Sequence, residues 1–409
     1  MPSSHRSRRR TVLAVSAATA ALALPLASGG TANASPGVVN VAVVGDMPYA
    51  TDNTPTNWTN WLNDVNAANV DFTAHSGDFK GGSDSCSDAA FTDTFNHFDS
   101  LAKPFWYTPG DNDWTDCHRN SNGSFDPLDR LAKVRSLYFA TPGQTIGATT
   151  MAVHTQHDST VVAEQAFVEN TWFNKECVTF GDIHSVTSQN GLLHPNLSDT
   201  SGKGSSGYVD PLGVSAGQTN RDDEVAARTS ADLAWLDAIF AAAAANDSEG
   251  VFLMLQSEPA LLADQPGGTP NDIVTGHEYD AIRAKILDKA ATFGKPVVIT
   301  HGDQHVYTVT PNYAGKPNIT RLENFGSNAS ASTSGILNWV QVQATCGTPA
   351  VFSQRPRTVG VAPGSYTAMF AIADAQVPEG PLAIGLLAGA GIAGLGYLLT
   401  RSRAARRTA

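Results

Sequence analysis

Charge is scarce in this chain, and basic charge scarcer still: 16% of its 409 residues are charged, with 26 basic against 38 acidic side chains and a net charge of −12. Eight of the basic residues are arginines near the two ends (Arg6, Arg8, Arg9, Arg10, Arg401, Arg403, Arg406 and Arg407), which leaves 18 for the body. A surface that acidic repels a phosphate backbone, which argues against general nucleic-acid binding and suits a body that collects cations. Cysteine is also scarce: there are four, with no C-x-x-C pair to suggest a zinc site. No G-x-S-x-G elbow and no G-x-x-x-x-G-K-[ST] loop occurs, against a serine hydrolase of that type and against P-loop triphosphate chemistry. Long apolar runs are too few for a polytopic membrane protein, while 42% hydrophobic residues are too many for a disordered chain. One large or two medium domains fit the length.

The ends carry targeting signals. Residues 1–34 read as a signal peptide: an arginine-rich start, an apolar stretch from Val12 to Leu26, and small residues closing on Ala32-Asn33-Ala34. Arg9-Arg10-Thr11 loosely resembles a twin-arginine signal, and an ordinary secretion signal fits as well. Residues 381–400 contain only Tyr397 and Thr400 as polar side chains, enough length to cross a hydrocarbon core of about 30 Å. The arginines of 401–409 keep that tail cytoplasmic, so the body faces outward, on the extracellular side of the membrane or at the cell surface. Val377-Pro378-Glu379 ahead of the span resembles a bacterial surface-protein sorting signal, in which case the span is processed. In an exported body the four cysteines imply two disulfides, with three pairings open.

Within the body, Val38 to Val44 is a nearly continuous apolar run, as a strand buried on both faces requires. Trp58, Trp61, Leu62 and Val65 follow at helical spacing; Val70 to His75 predicts a second strand; Phe91, Phe95 and Phe98 mark a helix opening near Ser87 or Asp88; and Pro104 to Thr108 predicts a third strand. This β-α-β-α-β order implies a parallel sheet with right-handed crossovers. Val161 to Val168 and Cys177 to Thr187 read as β-rich, and Asn196 to Asp223 as a surface excursion. A helix is expected from Ser230 to Ala245, then strand Val251 to Leu255, helix Glu278 to Phe293 and strand Pro296 to Thr300. Val306 to Thr310, Ile319 to Phe325 and Ile336 to Val342 read as a closing antiparallel set, and 346–380 as a Pro/Gly-rich spacer.

The chemistry concentrates at three strand ends: Gly45-Asp46, Gly77-Asp78 and Gly110-Asp111. Ligands of open α/β sheets gather at that rim. One Gly-Asp is a common turn; three in succession after apolar runs, with His301-Gly302-Asp303-Gln304-His305 after another, predict carboxylates that a divalent cation neutralises. Glycine before each Asp is expected to let the backbone turn sharply there.

This order resembles the calcineurin-like metallophosphoesterase superfamily, with its D-x-H, GD, GNH[DE], lone His and GHxH pattern, over about residues 38–345. The resemblance implies a four-layer β-sandwich flanked by helices for residues 36–345, two bridged metal ions, and hydrolysis of a phosphate ester, small or in the cell envelope. By position Asp46 and His305 are ligands of the first metal, Asp78 the bridge, and Asp111 a ligand of the second. Pro48, Asn112, Ser257 and Asp303 stand where the family has histidines, with Gln256 or Glu258 nearest to the lone one. His301 is either a replacement ligand or a buried strand-end histidine; His75 and His184 read as structural, the latter with a supporting role open. The segment GDNDWTDCHR from Gly110 to Arg119 resembles a divergent branch of the superfamily.

Oxygen in place of imidazole favours Mn²⁺, Mg²⁺ or Ca²⁺ over Zn²⁺. The expected ligand set is Asp46, Asp78, Asp111, Gln256, His301, Asp303 and His305, with Asn112, Asp113 and His118 as candidates to stabilise charge or protonate the leaving group, and Lys80 and Arg119 to meet a phosphate or to be ion-paired. Cys86 and Cys117 each follow a ligand loop, which favours the pairing Cys86–Cys117 with Cys177–Cys346. The expected enzyme is slow or selective; the alternative is a cation-binding surface module that kept the fold and lost hydrolysis.

Overall fold

The computed structural model describes residues 37–50, 54–191, 214–258, 279–327, 338–357, 359 and 370–371. The expected signal peptide, the membrane span and the basic tail lie outside these residues; among the described residues no helix is long and apolar enough to cross a membrane.

Strand β1 (Val38–Val44) is followed by α1 (Pro55–Ala67), β2 (Phe72–His75), α2 (Asp88–Asp99) and β3 (Phe105–Tyr107). The Thr54 hydroxyl caps α1 by accepting the Asn57 N–H, with proline in its first turn. Ser87 caps α2 by accepting the Ala90 N–H. The three strands are parallel, and β1 also pairs antiparallel with β11 (Trp339–Thr345). Beyond β11 lie β12 (Phe352–Arg357) and β13 (Phe370–Ala371), giving a six-stranded sheet in the order β13-β12-β11-β1-β2-β3.

The second sheet has seven strands: β4 (His154–Thr155), β5 (Thr171–Lys175), β6 (Val178–Asp182), β7 (Gly250–Met254), β8 (Val297–His301), β10 (Ile319–Glu323) and, at its edge, β9 (Thr308–Pro311). Its central strands β6, β7, β8 and β10 are parallel. Helix α3 (Pro127–Tyr138) leads towards it, and α4 (Val214–Ala245) and α5 (Asp280–Phe293) supply its crossovers.

Alternation along β1 explains the layering. Val39, Val41 and Val43 share a buried core with Phe180, Phe252 and Val298 of the other sheet. Ala42 and Val44 face the other way, into a core with Trp58, Trp61, Phe91 and Phe98 of α1 and α2. On the far side Leu253 and Ile299 pack with Leu236, Ile239 and Ile286 of α4 and α5. Each fully buried side chain of this size contributes about 1.5–3 kcal/mol. The result is an α/β sandwich of four layers: helices, sheet, sheet, helices.

Several expectations are corrected. The run Val161 to Val168 forms a short 3-10 turn, Val162–Glu164, rather than a strand; Val161 and Val162 are exposed. Part of the expected surface excursion is helical, because α4 starts at Val214. Its Arg228, fully buried, donates to the His184 carbonyl and Asn190, anchoring those earlier turns. The closing strands do not form one set: β9 and β10 stay in the second sheet, whereas β11 crosses to pair with β1. The range expected as spacer contains β12, whose Phe352 is buried against Gly250 behind an otherwise polar pattern.

Candidate metal centre

Asp46 follows β1, Asp78 follows β2 and Asp111 follows β3, while Ser188, Gln256, Asp303 and His305 follow β6, β7 and β8 of the second sheet. Both sheets therefore present the carboxyl ends of parallel strands to one rim, where such folds hold ligands. Asp46, Asp78, Asp303 and His305 all adopt positive φ (54°, 59°, 84° and 61°). Non-glycine residues there cost of the order of 1–3 kcal/mol each, and such conformations cluster at functional sites.

The repeated Gly-Asp has a more specific cause than a sharp turn. Gly77 does need its φ of 96°, but a Cβ on it would also lie 2.6 Å from the Gly110 nitrogen. A Cβ on Gly110 would collide with the amide and carboxylate of Asp78. The two loops cross backbone to backbone, and glycine permits that approach.

Asp46 is fully buried, and both its carboxylate oxygens lie 3.0 Å from the Asp303 N–H, which they accept. His305 Nε2 lies 3.4 Å from Asp46 Oδ1 and 3.0 Å from the Tyr49 hydroxyl. Asp78 accepts the Asn112 N–H at Oδ1 (3.0 Å) and the Asn112 amide at Oδ2 (3.0 Å). Asp111 accepts the Ser188 hydroxyl (2.6 Å), and Asp303 the Thr187 hydroxyl (2.7 Å).

The electrostatics are those of a crowded anionic pocket. Burial, then repulsion from Asp111, Asp46, Asp113 and Asp303, holds the Asp78 carboxyl well above the usual range. Burial and Asp111 push Asp303 up to about 7. Burial lowers His305, but the Asp46 carboxylate outweighs it, so its affinity for a proton is raised. Tyr49 is held far above the usual phenol range by burial and by the fields of Asp46, Asp78, Asp111 and Asp303, so its hydroxyl is neutral.

Among the described residues no group of three or more His, Cys, Asp and Glu side chains stands in the arrangement that a bound ion would need. The donor types still fit a hard divalent cation on the Asp46–His305 side, where carboxylate oxygens and one imidazole meet in a buried, mutually repelling cluster. Asp46, Asp78, Asp111, Asp303 and His305 are thus brought to one place.

Asn112 joins them through Asp78, and the remaining expected site residues are engaged as follows. Gln256 reaches the rim but turns its oxygen away: Oε1 accepts the Thr187 N–H at 2.7 Å, leaving its NH2 towards Asp111 and Asp78. His301 is buried with Nδ1 on the Gly302 carbonyl oxygen (2.9 Å), and burial followed by the charge of Arg321 lowers it to about 3. Its Nε2 is buried without a hydrogen-bond partner among the described residues. Asp113 is buried, and its two oxygens accept the backbone N–H of Asp78, Phe79 and Gly110 and the Tyr107 hydroxyl. His118 turns Nδ1 back onto the Thr115 carbonyl of its own helical turn (2.7 Å). Lys80 is buried with Nζ on the Gly81 carbonyl, its proton affinity lowered by burial against the fields of Asp113 and Asp116. Arg119 is buried and ion-paired with Asp116.

The disulfides Cys86–Cys117 and Cys177–Cys346 are both present, the first tying the chain after Asp78 to the chain after Asp111. They fit an oxidising compartment. Behind the Asp111 loop, the Trp114 indole N–H donates to His184 Nε2 (3.1 Å), and His184 Nδ1 lies 2.7 Å from Glu169, which also pairs with Arg135. His75 is buried too, with Nε2 on the Met47 carbonyl and Nδ1 accepting the Gly77 N–H. Sequence reasoning missed Tyr49, Thr187 and Ser188. Tyr49, three residues after Asp46, was the legible one, since a short loop returns it to the rim.

No family model and no curated protein matches the chain. Among solved structures, the chain is similar to a dimetal phosphatase from Danio rerio (9% identity, covering 79% of this chain and 99% of that one, TM-score 0.46). It is similar also to a purple acid phosphatase from yellow lupin seeds (11% identity, 84% of this chain and 57% of that one, TM-score 0.43). A third similarity is to GAP50, the anchor in the inner membrane complex of Plasmodium (10% identity, 83% and 90%, TM-score 0.40).

Proposed function

We propose that this protein is an exported, membrane-anchored, metal-dependent phosphoesterase of the calcineurin-like type, acting on a phosphate ester that is either small or part of the cell envelope. The observation that carries the reading is the convergence of Asp46, Asp78, Asp111 and Asp303 at one rim, with three of the four at positive φ. Asp46 and His305, with Asp78 and Asp303 beside them, would hold a divalent cation, Mn²⁺, Mg²⁺ or Ca²⁺ in preference to Zn²⁺. Such a cation supplies Lewis-acid polarisation of a phosphoryl oxygen and a water of lowered pKa. The chain's own groups do the rest. Half-buried Tyr49 holds a neutral hydroxyl between His305 and Asn112, where it can donate to an oxygen of the ester. Asn112 positions Asp78 through both its N–H groups.

A second reading, a cation-binding module without hydrolysis, is favoured by Asn112: the residue in the place of the catalytic histidine spends its amide on Asp78. The test is hydrolysis of an activated phosphodiester by the full chain with added Mn²⁺, beside the Asp78→Ala variant. Activity in the parent that is lost in the variant supports the enzyme. Equal background rates in both support the module.

A further inference from the structure

The Gln256 side chain is fixed in direction. Its Oε1 lies 2.7 Å from the Thr187 backbone nitrogen, and a backbone N–H only donates, so the atom facing it must be the amide oxygen. The amide nitrogen consequently faces Asp111 Oδ1 at 3.0 Å, Asp78 Oδ2 at 3.3 Å and Thr187 Oγ1 at 3.2 Å. Gln256 is fully buried and Asp78 and Asp111 nearly so, while Thr187 is partly exposed, so the two carboxylate contacts are shielded from water. The two amide protons thus lie between two carboxylates that repel each other, which is what a cation bridging Asp78 and Asp111 would otherwise do. A cation there would meet N–H groups instead of a lone pair. Turning the amide over would offer the oxygen, but would set the NH2 against the Thr187 N–H and leave both unpaired.

We infer that Gln256 fills, with hydrogen-bond donors, the position between Asp78 and Asp111 where a second ion would sit, so that the protein binds one divalent cation on the Asp46–His305 side rather than two. The inference rests on the proposed cation site and adds its stoichiometry. Asn112 acts in the same sense, since its amide donates to the same Asp78 Oδ2 at 3.0 Å.

The full chain, stripped with a chelator, is titrated with Mn²⁺ by calorimetry, and its electron paramagnetic resonance spectrum is recorded. The expected result is one Mn²⁺ per chain with the spectrum of an isolated ion. Gln256→Glu keeps an acceptor for the Thr187 N–H and replaces the donors with an oxygen; it should bind two Mn²⁺ and show a spin-coupled spectrum. Gln256→His serves the same purpose if the added carboxylate prevents folding. Two ions in the parent overturn the inference and leave the cation site standing, as does a single ion in the parent and both variants. No binding in any of the three overturns the cation site as well.

Discussion

The Asp303 backbone N–H lies 3.0 Å from each carboxylate oxygen of Asp46, a residue 257 positions earlier and in the other sheet. This contact closes the rim: it joins the turn after β1 to the turn after β8, and both residues pay for it with positive φ. Asp113 does the same between the turns after β2 and β3, accepting the Asp78 N–H at 2.9 Å and the Gly110 N–H at 2.7 Å.

Asp113→Asn should therefore be a stability mutation with a functional consequence. One acceptor oxygen becomes an NH2 aimed at N–H or O–H donors that have no other partner in the buried loop crossing. The expected loss is about 2–4 kcal/mol, from unpaired buried groups. Thermal or urea unfolding measures it, and Mn²⁺ affinity should fall in parallel because the Asp78 turn loosens.

Tyr49→Phe removes a hydroxyl that lies 3.0 Å from His305 Nε2 and 3.4 Å from the Asn112 amide. If that hydroxyl donates to the reacting ester, kcat should fall by about 10²-fold. Mn²⁺ affinity should change little, since the carboxylates are untouched. Steady-state kinetics and a Mn²⁺ titration separate the two effects; an unchanged kcat removes Tyr49 from the reaction.

Asp232 provides a pH signature remote from the rim. It is fully buried, accepts the Asn170 amide at Oδ1 (2.8 Å), and has an Oδ2 without a hydrogen-bond partner. Burial pushes its carboxyl up to about 8, against the lowering field of Arg228. The folded protein then keeps a proton that the unfolded chain releases near pH 4, so stability from this group declines as pH rises between about 4 and 8. Asp232→Asn should remove that decline. The variant should be more stable than the parent at pH 8.5, by a few kcal/mol at most, and the gap should narrow markedly by pH 5. Unfolding midpoints of both proteins at the two pH values test the sign.

How much of this was legible in advance varies residue by residue. Val38–Val44 and the caps at Thr54 and Ser87 were local facts, because an apolar run buried on both faces and a hydroxyl ahead of a helix act within a few residues. The run Val161 to Val168 misled, because β-propensity without a partner strand does not make a strand. The four rim aspartates were legible because each is punctuated by its own glycine after an apolar run.

The amino-acid sequence by itself determined the alternation of strands and helices and the delivery of Asp46, Asp78, Asp111 and Asp303 to strand ends, since periodicity and turn residues are written locally. Only the tertiary structure decided what the side chains do there. Gln256 meets Thr187, Asp111 and Asp78 across 69, 145 and 178 positions, and those distant N–H groups and carboxylates set which end of its amide faces the pocket. Burial and then the charge of Arg321 lower the proton affinity of His301, and Asp113 accepts backbone donors of a neighbouring loop. A side chain's chemistry is fixed by its residue type, but its direction and partners are fixed by whichever groups the fold places within hydrogen-bond reach.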